Sequence, residues 1–149
     1  MVIKEVCIKV CSVIENLDSS GLACSDAERT ETRSVGYLHI YDGGVYLVTY
    51  AEKNEDQQVT TEIKYDGDTV TVKRYGSIES LMVFKEGYRD SSVYKISPYS
   101  FDAEVITKKI RAALDNDGGT IDLYYNMKIG GAERSARMKI WISTNSNQD

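Results

Sequence analysis

Three cationic side chains share the strand phase of apolar neighbours, and this is the clearest arrangement in the sequence that could bind a ligand. Arg74, Lys108 and Arg134 alternate in register with residues expected to face a core, namely Val70, Val72, Ile106, Ile110, Ala112, Ala136, Met138 and Ile140. Burying a cation is costly unless an anion pairs with it. Inward cations near strand ends therefore predict a site for an anionic or amphipathic small molecule at one mouth of the fold, with flat walls supplied by Tyr46, Tyr50 and Tyr125.

The same pattern also has a purely structural explanation. Long Arg and Lys side chains near strand ends extend their charged groups into water, or they pair with acids such as Glu62, Glu79 and Asp102. Neighbouring antiparallel strands run in opposite directions, so the three cations can also belong to opposite mouths. The sequence leaves these alternatives open, and the positions of the side chains decide between them.

The only histidine is the other residue with catalytic potential. His39 is in phase with Tyr37 and Tyr41, an arrangement in which phenols could orient a general base. A partly exposed strand histidine beside aromatic residues gives the same pattern, and we favour that interpretation. The sequence contains no GxSxG, P-loop, dinucleotide-binding or CxxC motif, so it indicates no catalytic residue, no metal site and no cofactor.

Composition favours one globular domain spanning residues 1–149. The 11 tyrosines far outnumber the 2 phenylalanines, and tyrosine favours strands because its ring packs on a pleated surface while its hydroxyl reaches water. A formal net charge of −5 argues against non-specific binding to nucleic acid, and no apolar run is long enough for a signal peptide or a membrane span. The 3 cysteines, an odd number, do not form a disulfide framework, so we expect a cytoplasmic protein.

The elements that must position these residues are strands, because apolar residues alternate along most of the chain. Residues 15–27 indicate a polar loop, residues 52–57 a charged, solvated turn and residues 144–149 a frayed tail. Short turns separate about nine or ten alternating segments, and consecutive strands with short connections pair antiparallel. Closure of such a meander removes its two exposed edges, so the pattern predicts a barrel rather than an open sheet or a Greek-key sandwich.

Distinctive turns and strand starts lie at residues 42–47 (DGGVYL), 60–68 (TTEIKYDGD), 82–87 (MVFKEG), 98–102 (PYSFD), 107–110 (TKKI) and 118–125 (GGTIDLYY). Over roughly residues 35–142, which contain these segments, the chain resembles the YwiB-like family of uncharacterised bacterial β-barrel proteins. Ser100 departs from the family pattern, which usually has glycine after Pro-Tyr. The resemblance implies a calycin-like barrel, similar in shape to lipocalins, in the bacterial cytosol, and it implies no catalytic residue.

The sequence therefore predicts an all-β fold, a single antiparallel up-and-down calycin-like barrel of about 8–10 strands. The sequence does not establish the function, and two classes of function remain open. The first is a barrel that binds a small molecule at one mouth. The second is a barrel filled with side chains that meets a protein partner or forms a homodimer through exposed tyrosines. An enzyme ranks third, and neither nucleic acid nor a membrane is expected as a partner.

Overall fold

A closed antiparallel sheet of ten strands makes up nearly all of the computed structural model, which describes residues 1–17, 27–53 and 55–144. In chain order the strands are β1 (Val2–Asn16), β2 (Glu28–Tyr41), β3 (Val45–Lys53), β4 (Gln58–Tyr65), β5 (Thr69–Gly76), β6 (Ile78–Lys85), β7 (Arg89–Ile96), β8 (Tyr99–Asp115), β9 (Gly118–Ile129) and β10 (Ala132–Thr144).

Every strand pairs with its neighbours in the chain, and the first strand closes the barrel. β1 pairs along one edge with β2, from Val2↔Ile40 to Ile14↔Glu28, and along its other edge with β10. The sheet order is therefore that of an up-and-down barrel, as the strand pattern and the edge argument predicted. Both outer strands of the meander lose their free edges in this one contact.

The tight connection between β8 and β9 requires glycine for two reasons. Gly118 and Gly119 have φ values of 111° and 140°, which L side chains rarely adopt. A Cβ atom at Gly119 would in addition collide with the carbonyl oxygen of Ala113. The strands can approach this closely only because the position carries no side chain.

Alternation places one face of every strand in the barrel interior. The largest fully buried side chains include Phe84, Ile8, Leu38, Ile63, Ile121, Leu123 and Ile140. Phe84 packs edge-on against Tyr125, with ring centroids 4.9 Å apart and planes inclined by 66°. Most of the apolar residues whose phase the sequence identifies therefore belong to the core. Ile106 is an exception, because its neighbours Val105 and Thr107 are the buried residues of that segment of β8.

The ladder between β6 and β7 is short, and the nearby turn packs against a β-bulge in β8. Only Ile78↔Ile96 and Glu79↔Lys95 are paired between these strands. Farther along, the Val83 N–H donates to a carboxylate oxygen of Asp90 at 3.0 Å. Backbone groups of the β6–β7 turn pair with Thr107, just before a register shift between Thr107 and Lys109.

The two ends of the barrel differ in their connections. We call the upper end the one that carries the connections β1–β2, β3–β4, β5–β6, β7–β8 and β9–β10. The lower end carries the hairpins β2–β3, β4–β5, β6–β7 and β8–β9 together with the first residues of β1. The strand directions alone decide to which end each inward residue belongs.

Some predicted boundaries are wrong. The predicted loop at residues 15–27 starts too early, since β1 continues through Asn16 and pairs there with Arg134; residues 18–26 lie outside the described part. The predicted charged turn at 52–57 starts too early because β3 continues through Lys53. Of the predicted tail, Thr144 still belongs to β10, and residues 145–149 are not described.

Replacing Phe84 with alanine should lower the free energy of unfolding by about 3–5 kcal/mol, because the change leaves a cavity in a packed core. Phe84 is 0% exposed, whereas the other phenylalanine, Phe101, is 38% exposed and provides a matched control. Phe101→Ala should cost about 1 kcal/mol or less. Urea unfolding followed by the fluorescence of Trp141 measures both variants, and equal losses would contradict the placement of Phe84 in the core.

Candidate functional site

Polar side chains that face the interior gather in the upper half of the barrel. Tyr50 on β3, Thr61 on β4, Arg74 on β5 and Ser80 on β6 are consecutive partners in the sheet register. Tyr50, Thr61 and Ser80 are buried, and Arg74 is half-buried. Neighbouring strands in register thus bring a guanidinium group among three hydroxyl-bearing side chains.

Arg74 forms no ion pair with any carboxylate in the described part of the chain. Its charge is nevertheless felt by two buried phenols. Burial raises the pKa of Tyr50, and the positive charge of Arg74 opposes that shift. Burial likewise raises the pKa of Tyr125 to about 12, again with Arg74 opposing. Both phenols are therefore neutral near pH 7 and can donate hydrogen bonds to an anion held by Arg74.

Two chambers meet at Arg74. The first has a volume of about 170 Å³ and a mostly polar wall that includes Ser12, Thr30, Thr32, Tyr50, Glu52 and Gln57. The second has a volume of about 280 Å³ and a mostly apolar wall that includes Val72, Met82, Phe84, Tyr125, Met127 and Met138. Arg74, Ser12 and Thr30 line both chambers. The second approaches the lower limit of about 300 Å³ for typical small-molecule pockets.

Arg134 lines the apolar chamber together with Arg74, so these two predicted cations belong to the same end of the barrel. Arg134 lies near the start of β10, opposite Met127 and Asn16, and is exposed. No ion pair of Arg134 occurs among the residues that the structure describes. The site therefore has one cation at depth and a second at its rim.

The predicted inward direction of Lys108 is wrong. Thr107 is opposite Tyr125 and Lys109 is opposite Tyr124, so Lys108 is the extra residue of the β-bulge in β8. The bulge reverses the parity of the strand, because Val105 and Thr107 face inward before it and Ile110 faces inward after it. Lys108 itself is exposed and lines neither chamber.

Tyr46 faces inward as expected but lies toward the lower end. It is opposite Ile40 on β2 and Tyr65 on β4, and it packs against the core. Four residues of strand separate its Cα atom from that of Tyr50, which is about 13 Å at about 3.3 Å per residue. Tyr46 lines neither chamber, whereas Tyr50 and Tyr125 do.

Glu52 and three methionines are site residues that the sequence interpretation missed. The sequence predicts Glu52 in a solvated turn, but it is half-buried on β3 and lines the polar chamber. Its parity with Val48 and Tyr50 was the signal that could have identified it. Three of the 4 methionines, Met82, Met127 and Met138, line the apolar chamber, and no sequence spacing connects these residues of different strands.

His39 lies outside both chambers. Its Nε2 atom is 3.5 Å from Oγ1 of Thr49 on the neighbouring strand. Its half-buried position beside Thr49 fits the structural interpretation of the histidine. Among the described residues, no group of three or more His, Cys, Asp or Glu side chains is arranged to hold a metal ion. No described helix has the length and apolar character needed to cross a bilayer.

Comparison with known proteins shows similarity to proteins of unknown function. The model of the domain of unknown function DUF1934 matches residues 15–141. The uncharacterized beta-barrel protein YwiB of Bacillus subtilis (strain 168) is 30% identical over 103 residues, which are 69% of this chain and 72% of that protein. The crystal structure of YwiB from Bacillus subtilis superposes with a TM-score of 0.82 at 25% identity, covering 96% of this chain and 93% of that chain.

The alkaline stability of the protein tests the burial of Tyr125. Its pKa rises from 10.0 to about 12 on folding, so the folded state holds this proton more tightly than the unfolded state. The resulting stabilisation is complete below the unfolded pKa and is lost as the pH rises toward the folded pKa. As the pH rises from about 10 to about 12, the free energy of unfolding should fall by about 2 kcal/mol more in the wild-type protein than in Tyr125→Phe.

Urea titrations at several pH values measure this difference. Tyr99→Phe, which removes a hydroxyl from a side chain that is 65% exposed, is the matched control and should behave like the wild-type protein. If the free energy of unfolding falls equally with rising pH in the wild-type protein and in Tyr125→Phe, burial does not hold this phenol neutral.

Proposed function

The chain belongs to the DUF1934 family, a family of unknown function. We propose that its barrel binds a small anionic or amphipathic organic molecule. The ligand enters at the upper end and places its negatively charged group against Arg74. Tyr50 and Tyr125 flank this group, Arg134 attracts it at the rim, and the apolar part of the ligand packs in the larger chamber. The cytoplasm is the proposed location, supported by the odd number of cysteines.

One observation carries this proposal: Arg74 is half-buried beside the chambers without a carboxylate partner in the described residues. A cation that is kept partly away from water without a directly paired carboxylate costs stability. A bound anion would offset that cost with charge-assisted hydrogen bonds. The analogy with calycin-like barrels, whose interiors often hold ligands, supports the proposal at the level of architecture only.

Arg74→Gln should weaken the binding of a small aromatic acid such as 3-phenylpropanoate by at least about tenfold, because a hydrogen bond to a charged group contributes about 1.5–3 kcal/mol. Arg134→Gln should have a smaller effect because its charge is exposed. Lys108→Gln removes a cation outside the chambers and should leave the affinity unchanged. Isothermal titration calorimetry measures all four proteins.

Native mass spectrometry of the freshly purified protein provides a second measurement, since a carrier is expected to retain part of its ligand. Wild-type protein with no bound small molecule and no affinity for the probe would overturn the proposal. Equal affinities of the wild-type protein and Arg74→Gln would overturn the role of Arg74.

A specific surface feature supports a second candidate function, self-association or contact with a protein partner. Ile3, Val35 and Tyr37 are 52%, 60% and 51% exposed on the outer face of β1 and β2. Val35 and Tyr37 alternate along β2, and Ile3 is opposite His39 in the next outward position. Adjacent exposed apolar side chains of this kind are typical of interaction surfaces.

If this surface mediates a homodimer, light scattering after size-exclusion chromatography should give the dimer mass for the wild-type protein and the monomer mass for Val35→Glu. Burying a carboxylate in an apolar interface is unfavourable, which explains the expected loss. Leu81→Glu is the control, since Leu81 is 46% exposed on β6. A wild-type protein that is monomeric at all concentrations would contradict the homodimer.

A further inference from the structure

The polar chamber contains a second charged group, of opposite sign to Arg74. Glu52 lies two residues after Tyr50 on the inward face of β3, is half-buried, and lines the chamber of about 170 Å³ together with Arg74. The two charges act on the same phenol, since Glu52 favours the protonated form of Tyr50 and Arg74 opposes it. A carboxylate and a guanidinium group therefore approach one small volume from different strands.

Glu52 and Arg74 form no direct ion pair with each other. Neither Glu52 nor Arg74 takes part in any ion pair within residues 1–17, 27–53 and 55–144. The open volume of the chamber lies beside both groups. Two half-buried groups of opposite charge that share a chamber without an ion pair between them present complementary positions to a ligand that carries both charges.

We propose that the ligand is a small zwitterion of the amino-acid type, whose carboxylate binds Arg74, whose ammonium group binds Glu52 and whose apolar side chain enters the larger chamber. This inference rests on the proposed function, because it assigns the charged group at Arg74 to the ligand's carboxylate. Tyr50 lines the same chamber as Arg74, and its neutral phenol can donate to the same carboxylate.

The apolar chamber sets the preference for the rest of the ligand. Its wall contains Phe84 and the thioether side chains of Met82, Met127 and Met138. Methionine side chains adapt to the shape of an apolar group more readily than branched ones. The chamber therefore selects apolar over polar side chains, and it tolerates both aliphatic and aromatic shapes.

Ligands that carry only one of the two charges fit this arrangement less well. A simple carboxylic acid would satisfy Arg74 but would leave the Glu52 carboxylate beside a second anion. A simple amine would satisfy Glu52 and place its positive charge near Arg74. Charge repulsion thus discriminates against both, whereas a zwitterion has no unpaired charge in the chamber.

Isothermal titration calorimetry near pH 7 with L-phenylalanine, 3-phenylpropanoate and 2-phenylethylamine tests the proposal, because these probes share a phenyl group and differ in charge. The wild-type protein should bind L-phenylalanine at least about tenfold more tightly than either other probe, as expected for one additional charge-assisted hydrogen bond. Glu52→Gln should remove that advantage and leave the affinity for 3-phenylpropanoate equal or higher.

Glu133→Gln makes the same change at an exposed position outside the chambers and should bind all three probes like the wild-type protein. Glu52→Asp retains the charge on a shorter side chain and should keep part of the preference, which separates loss of charge from loss of folding. Urea unfolding of each variant confirms that the proteins compared are folded.

The outcomes distinguish this inference from the proposed function. If the wild-type protein binds 3-phenylpropanoate as tightly as L-phenylalanine and Glu52→Gln changes neither affinity, the zwitterion is excluded while an anion site at Arg74 stands. If Arg74→Gln also leaves every affinity unchanged, the anion site is excluded as well. An absence of binding by all three probes overturns the inference, and native mass spectrometry then decides the proposed function separately.

Discussion

Closure of the sheet between β1 and β10 is the contact on which the rest of the structure depends. Without it, a ten-strand meander would expose two edges of unpaired backbone groups, and its inward residues would face a shallow surface rather than an interior. With it, the inward face of every strand borders one enclosed volume. Residues far apart in the chain, such as Ser12 and Met127, then line the same chamber, because alternation turns both side chains inward and closure brings their strands around one interior.

The regular ladder of this barrel is interrupted in the region of β6, β7 and β8. The interruption lies beside Thr107, where β8 carries a bulge and the β6–β7 turn pairs with it, and along the short ladder between β6 and β7. The Asp90 carboxylate accepts the Val83 N–H in that region, so a side chain replaces a backbone partner. The bulge also keeps the cation of Lys108 outside the barrel. Of the three cations that the sequence places inward, Arg74 is the one that is half-buried.

The charges inside the barrel are the feature that packing alone does not explain. The lower half of the interior holds much of the apolar core, whereas Arg74 and Glu52 face the upper half without pairing with each other among the described residues. Stability by itself would favour apolar groups at such positions. Their presence beside open volume is the reason we propose a binding site in the upper half, to which the buried phenols of Tyr50 and Tyr125 would add neutral donors.

The sequence by itself determined the class of fold and the face of most strands, because side chains alternate with a strict period of two and turn residues mark where the period restarts. It therefore placed Arg74 and Arg134 on inward faces. It misplaced Lys108 because a bulge depends on pairing with a partner strand, which no local pattern records. The depth of Tyr46 and the sharing of one chamber by Arg74 and Glu52 were decided only by the tertiary structure, since strand direction, register and closure set the height of each residue in the barrel.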